Sequence, residues 1–191
     1  MSLEHVLLGF IAQKSRTGYE LKTRCFDREA TWFWPADQAQ IYRTLARLEA
    51  DGMVTSRRQR QTSRPDRKVY SLTALGGRAL REWLGGDTYL PSPRDPFLAR
   101  LRFSSALGDE ELSALVLSSR ELHQSRLDAL RERAMTHPLP GTSQRSLALQ
   151  AATLQGAIVQ ERAWIDWLDD LAATVDQGEI PAPDPVSAEV G

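Results

Sequence analysis

Side chains able to read nucleic acid recur at helical spacing just after Asp37: Gln38, Gln40, Arg43, Thr44 and Arg47. A glutamine amide pairs with adenine, and an arginine guanidinium with guanine, by two hydrogen bonds at once. Such residues work when the first turns of their helix lie in a major groove. Further on, the polar stretch Gln59 to Arg67 holds Ser63 and Pro65, and Arg58, Arg60, Arg64, Arg67 and Lys68 lie in or beside it. Arg60, Arg64, Arg67 and Lys68 suit phosphates or a minor groove. Residue type leaves open which side chain would meet a base and which a phosphate. Solvated surface arginines are the competing reading of the loop.

Other chemistries find less support. The histidines are scattered, at His5, His123 and His137, and with the single cysteine, Cys25, they form no zinc constellation. There is no nucleophile with a base and an orienting group, no phosphate-cradling glycine loop and no paired acidic motif. The expectation is therefore a protein without cofactor or metal that is not an enzyme. One cysteine excludes an intrachain disulfide framework and fits a reducing cytosol. No run approaches 18 apolar residues, and the first residues lack the pattern of a signal peptide, so a cytoplasmic protein with no membrane association is expected.

The elements that would position these residues follow from periodicity. Leu3, Val6, Leu7, Phe10 and Ile11 predict a helix over 3–13. Lys14 to Gly18 reads as a turn. A second helix is expected over 18–30, with Tyr19, Leu21, Cys25 and Phe26 as its apolar members and Cys25 buried. Asp37 looks like an N-cap with Gln40 three residues on, the spacing of a capping box. The helix it opens buries Ile41, Leu45 and Leu48 and stops at Asp51-Gly52. Met53 to Arg57 and Lys68 to Leu72 read as two strands around the basic loop. A helix from Thr73 to Leu84 follows, offering Leu75, Ala79, Leu80, Trp83 and Leu84 to the core.

The second half changes character. Pro91, Pro93 and Pro96 mark a stiff connection. Helices are predicted over 96–106, 109–134 and 144–176. The second would turn Leu112, Leu115, Val116, Leu122, Leu127 and Leu130 inward. In the third, positions 147, 151, 154, 158, 161, 165, 168, 172 and 175 alternate by four and three and are apolar except for Glu161. That is a heptad seam, and Leu147, Leu154, Ile158, Ile165 and Leu168 are its candidate dimer contacts. Two helices packing within one chain is the alternative. Glu161 would meet an arginine across the dimer interface or tilt to solvent. A helix of this length spans about 50 Å, long for so small a domain to cover.

Charge divides the same way. Residues 1–84 carry 15 Lys and Arg against 9 Asp and Glu; the remainder carries 9 against 16. A basic half joined to an acidic half suggests that only the first meets a polyanion. The fold class expected is mainly α with a small β-hairpin. A winged helix-turn-helix would occupy 1–86, a helical dimerisation domain 94–177, and a disordered tail 178–191. A winged helix that holds a protein partner in place of DNA is the competing function.

Five motifs in order carry a family resemblance: Met1 to Leu8, Gly18-Tyr19-Glu20-Leu21, Phe33-Trp34-Pro35-Ala36, Gln40-Ile41-Tyr42-Arg43-Thr44-Leu45, and Pro65 to Thr73. Together they resemble the PadR family of bacterial transcription regulators. Arg94 to Leu101 and Ala163-Trp164-Ile165-Asp166-Trp167 resemble the subgroup with the helical C-terminal domain of virulence activators such as AphA. The resemblance implies a repressor that binds double-stranded operator DNA as a homodimer, and it adds Tyr42 to the DNA-binding set. Ser63 stands where the family's wing commonly has glycine, and Arg43 where many members have proline. Some members sense small aromatic molecules, so Trp32, Trp34, Trp164 and Trp167 are candidates for an effector pocket, with packing as their plainer role.

Overall fold

The computed structural model describes residues 3–59, 67–87, 94–135 and 143–178. The chain forms two compact units, Met1–Pro91 and Ser92–Gly191.

In the first unit, α1 (Leu3–Gln13) buries Leu7, Leu8, Phe10 and Ile11, the inward residues its spacing predicts. Arg16–Thr17, expected as a turn, is instead a short strand, β1. It pairs antiparallel with β3 (Arg67–Leu72), Arg16 opposite Tyr70 and Thr17 opposite Val69. The sheet therefore has three strands, in the order β1-β3-β2, with β2 spanning Val54–Gln59. Arg16 is buried, its Nε 3.5 Å from the Phe10 carbonyl. Two-residue strands carry too little period to be read from sequence.

Thr17 then caps α2 (Gly18–Glu20). Its hydroxyl accepts from the Glu20 amide, and the Glu20 carboxylate accepts from the Thr17 amide. These bonds, the backbone one foremost, hold the Glu20 carboxyl below its ordinary range. The helix continues as a π-helix over Leu21–Glu29, where an α-helix is expected. Leu21 and Phe26, and Cys25 and Ala30, are each five apart, the repeat of i→i+5 hydrogen bonds, but Leu21 and Cys25, and Phe26 and Ala30, also keep the α-helical spacing of four, so the sequence does not distinguish the two. All four are buried, and the Ala30 amide bonds to the Cys25 carbonyl at 2.8 Å.

Helix α3 (Gln38–Ala50) opens on Asp37 with the expected capping box. It ends with two reverse bonds, Met53 N–H to Leu48 carbonyl and Gly52 N–H to Glu49 carbonyl. Gly52 takes φ 69°, the left-handed stop that glycine permits without a Cβ penalty. Helix α4 (Ala74–Gly85) is capped by Thr73 and buries Leu80. Leu75 and Leu84, expected inward, are exposed. They lie in the first and last turns of α4, while Leu80 is buried and Trp83 part-buried against the core. The core combines residues of α1, the π-helix, α3, β2, β3 and α4.

In the second unit, α5 (Pro96–Arg102) starts on Asp95, whose carboxylate accepts from the Phe97 and Leu98 amides, with Pro96 in the first turn. A 3₁₀ turn, Ser104–Ala106, follows. Helices α6 (Asp109–Ala134) and α7 (Gln144–Asp176) pack on one another. Leu112, Val116, Leu168 and Val175 form the buried centre, and Leu127 and Leu130 are also buried. Leu122 is exposed, a correction to its expected inward position. His123 and Arg126 of α6 instead face α7 through Glu161. No helix among the described residues is long and apolar enough to cross a membrane.

Candidate nucleic-acid interface

The early turns of α3 present Gln38, Gln40, Tyr42 and Arg43 outward. The cap that fixes them also engages one of them. The Gln40 side-chain oxygen accepts from the Asp37 amide at 3.1 Å, and the Asp37 carboxylate accepts from the Gln40 amide at 2.7 Å. A two-bond contact from Gln40 to adenine would need that oxygen, so Gln38 and Arg43 are the freer of the candidate side chains. Arg43 makes no ion pair among the described residues. Arg47 is exposed on the α1 side and pairs with Glu4 at 2.5 Å. Thr44 is a correction: it is buried. It completes the inner stripe Ile41, Thr44, Leu45 and Leu48, since positions three and four apart share a helix face.

Beside α3 lie β2 and β3. Their register sets Arg57 opposite Val69, Arg58 opposite Lys68 and Gln59 opposite Arg67. Alternation puts Arg57, Gln59 and Arg67 on one face, and Arg58 and Lys68 on the other. Arg57, Arg58 and Arg67 are exposed. Arg57 and Arg58 were not among the site residues expected from the loop. Arg57 closes the first predicted strand and Arg58 follows it, so counting the strand's own arginines with those of the loop would have found them. Arg60 and Arg64 lie outside the described residues.

Lys68 is only half exposed and is already paired. Its ammonium lies 2.5 Å from a Glu49 carboxylate oxygen and 5.3 Å from the centre of the Tyr70 ring. The bonds from Lys68 and then Ser56 hold the Glu49 carboxyl below its ordinary range. The Lys68 ammonium is raised in turn, first by its bond to Glu49.

The four tryptophans named as effector-pocket candidates occupy different settings. Trp34 lines a cleft of about 400 Å³ with Leu3, Pro35, Gln40, Arg43 and Arg47. Trp32 meets Phe33 edge to face at 4.8 Å. In the second unit, Trp164 stacks on His123 at 4.9 Å and meets Phe97 and Trp167 edge to face. Trp164 is therefore occupied by packing, while Trp167 keeps 38% of its surface exposed.

The seam on α7 also needs correction. Ile158, Ile165 and Leu168 are buried within the single chain, on the helix that packs against α6. Leu147 and Leu154 are part-buried. The alternative, two helices packing within one chain, is what the structure shows, because a heptad pattern does not say whose helix it faces. Glu161 does not tilt to solvent, and the arginine it meets lies on α6 of the same chain. Glu161 is buried and bonded to His123 Nδ1 at 2.6 Å and Arg126 Nε at 3.2 Å. A second stripe on α7 stays open: Leu149, Ala152, Gly156, Val159 and Ala163 alternate by three and four, Trp167 lies one turn on, and all are exposed.

Three helices, a three-stranded sheet with a basic hairpin, and a fourth helix define a winged helix-turn-helix. Residues 7–82 match the model of the Transcriptional regulator PadR-like family, and residues 93–176 that of the Virulence activator alpha C-term region. The chain belongs to the PadR-like family of transcriptional regulators, in the group that carries this C-terminal region. It is 28% identical over 179 residues to the negative transcriptional regulator PadR of Bacillus subtilis, spanning 92% of this chain and 98% of that protein. A probable transcriptional regulator of Mycobacterium tuberculosis is 29% identical over 191 residues, 93% of this chain and 99% of that one. The Bacillus subtilis PadR structure with operator DNA matches with a TM-score of 0.80 at 27% identity, over 91% of this chain and 99% of that chain. The same protein with p-coumaric acid gives 0.74 at 27%, over 91% and 98%. The Vibrio cholerae virulence activator AphA gives 0.72 at 28%, over 93% and 99%.

Proposed function

We propose that this chain is a sequence-specific DNA-binding transcriptional repressor that acts as a homodimer. The observation that carries the reading is a capped helix beside a basic hairpin in the first unit: α3 exposes Gln38, Tyr42 and Arg43, and the hairpin exposes Arg57 and Arg67 on one face and Arg58 on the other. Helix α3 enters the major groove, and the hairpin with its tip, including Arg60 and Arg64, meets backbone or minor groove. Residues 1–86 are the DNA-binding domain, and 94–177 the dimerisation domain. Repression follows the Bacillus subtilis relative, a negative regulator solved on its operator.

The second chain docks on the open stripe of α7, from Leu149 to Trp167, since the predicted seam is covered by α6. The exposed face of Trp167 and the relative's p-coumaric acid complex support a small aromatic acid as effector class. The protein works in the cytoplasm, where the chromosome is, and catalyses no reaction.

Selection from a random duplex pool tests this. The expected product is a two-fold symmetric site with half-sites about one helical turn apart. Affinity for it should fall steeply with salt. Absence of enrichment, or salt-independent binding, would overturn the reading.

A further inference from the structure

Glu49 sits in the last turn of α3 and touches both hairpin strands. Its Oε1 accepts from the Ser56 hydroxyl of β2 at 2.5 Å, and its Oε2 accepts from the Lys68 ammonium of β3 at 2.5 Å. One carboxylate thus ties the proposed recognition helix to each strand of the wing. It also neutralises one wing cation. Among the described residues Arg57, Arg58 and Arg67 make no ion pair, and Lys68 does. Lys68 is in addition drawn over the Tyr70 ring, whose quadrupole attracts a cation.

We infer that Glu49 is a positioning and specificity-setting residue, which braces the wing on α3 and withholds Lys68 from indiscriminate contact with DNA phosphates. This rests on the reading of the surface as a DNA interface. An acid beside that surface repels the backbone of any duplex, whereas base contacts reward only the right one. That repulsion is equal on every duplex, whereas the brace between wing and α3 favours only the duplex on which both elements seat together, so the net loss is smaller on the operator than on random DNA. The pair is a third to half exposed, and pairs of that exposure are weak. Changing Glu49 thus alters the competition for Lys68 without leaving a charge buried. The lowered Glu49 carboxyl and raised Lys68 ammonium agree with the pairing.

The test compares wild type, Glu49→Gln, Lys68→Met, the double variant and Arg67→Ala on the selected operator and on a random duplex across a salt series. Glu49→Gln should tighten random-duplex binding about threefold to tenfold, with less gain on the operator. It should steepen the log affinity against log salt plot by roughly one, the value of one added phosphate contact. Adding Lys68→Met should erase both gains. Lys68→Met alone should flatten the plot by less than Arg67→Ala does. Unchanged or weakened random-duplex binding in Glu49→Gln overturns the inference, as does a gain that survives Lys68→Met. If Glu49→Gln melts early, the Lys68→Met and Arg67→Ala comparison decides, and equal flattening overturns it. Wild type that binds neither duplex removes the DNA reading itself, a result distinct from wild type that binds with variants that do not differ.

Discussion

Tyr42 lies on the backbone of Gly18, so close that a Cβ at residue 18 would fall 2.6 Å from its ring. The absence of a side chain at the start of α2 is what lets this ring rest there, beside Arg43 on the outward face of α3. Gly18→Ala should displace the ring and weaken operator binding on the order of tenfold, about 1.4 kcal/mol. In a Tyr42→Ala background the same change should cost nothing more. Operator titrations of the four proteins measure the coupling; additive losses would show that Gly18 acts elsewhere.

Gly76 and Gly77 stand side by side in α4 with opposite expectations. A Cβ at Gly76 would lie 2.1 Å from the Met53 carbonyl oxygen, which is backbone and has little room to yield. Gly76→Ala should therefore destabilise by about 1–3 kcal/mol or more. At Gly77 the nearest atoms are 3.7 Å away and belong to flexible side chains. Gly77→Ala should stabilise by about 0.4–1 kcal/mol, because alanine restricts the unfolded chain. Urea unfolding followed on the first unit separates the two; a shift in the same direction for both would refute the contact.

These contrasts show where sequence was sufficient. Asp37, Gln40 and Gly52 mark both ends of α3 because caps are local chemistry, written within four residues. Helix α7 is equally legible, since 33 residues of one period outweigh any local exception. Partners are another matter. The four-three pattern at Ile158, Ile165 and Leu168 specifies an apolar face, and only the antiparallel return of α6 shows that the same chain covers it. Arg16 and Thr17 could not announce a strand, because their pairing with β3 is more than fifty residues distant. Lys68 reads as one more free cation of the hairpin until Glu49 of α3 is seen beside it.

Cys25 is fully buried, and burial pushes its thiol up to about 12. The ordinary thiol value is near 8.5. Below that value both folded and unfolded chains keep the proton, and the preference of the fold for the neutral thiol is fully present. Above it the unfolded chain releases its proton while the native chain retains it. Stability therefore falls from about pH 9 toward pH 12. Cys25→Ala should lose less stability over this interval than wild type, whatever its cost at neutral pH. Urea midpoints at pH 7.5 and 10.5 give the difference, which cancels the other alkaline groups. In the native protein at neutral pH, a thiol reagent should react slowly, and quickly once urea is added. Parallel pH curves for the two proteins, or rapid native labelling, would contradict this.

Ile158 and Val159 are neighbours on α7 that look in different directions. Ile158 is 7% exposed and belongs to the face packed by α6; Val159 is 53% exposed on the open stripe with Leu149, Gly156 and Ala163. Aspartate at 158 would place an unpaired charge inside the helical pair, at a cost of several kcal/mol, so the second unit should lose its helical signal. Aspartate at 159 meets only solvent in the single chain and should leave that signal intact. In the dimer proposed here it would place a charge on each side of the interface, since a symmetric interface doubles every substitution. Val159→Asp should then sediment as a folded monomer and bind the full operator far more weakly, while still contacting one half-site. A Val159→Asp protein that remains a stable dimer would move the interface off this stripe. An Ile158→Asp protein that folds normally would mean that the packing of α7 on α6 is not what stabilises the second unit.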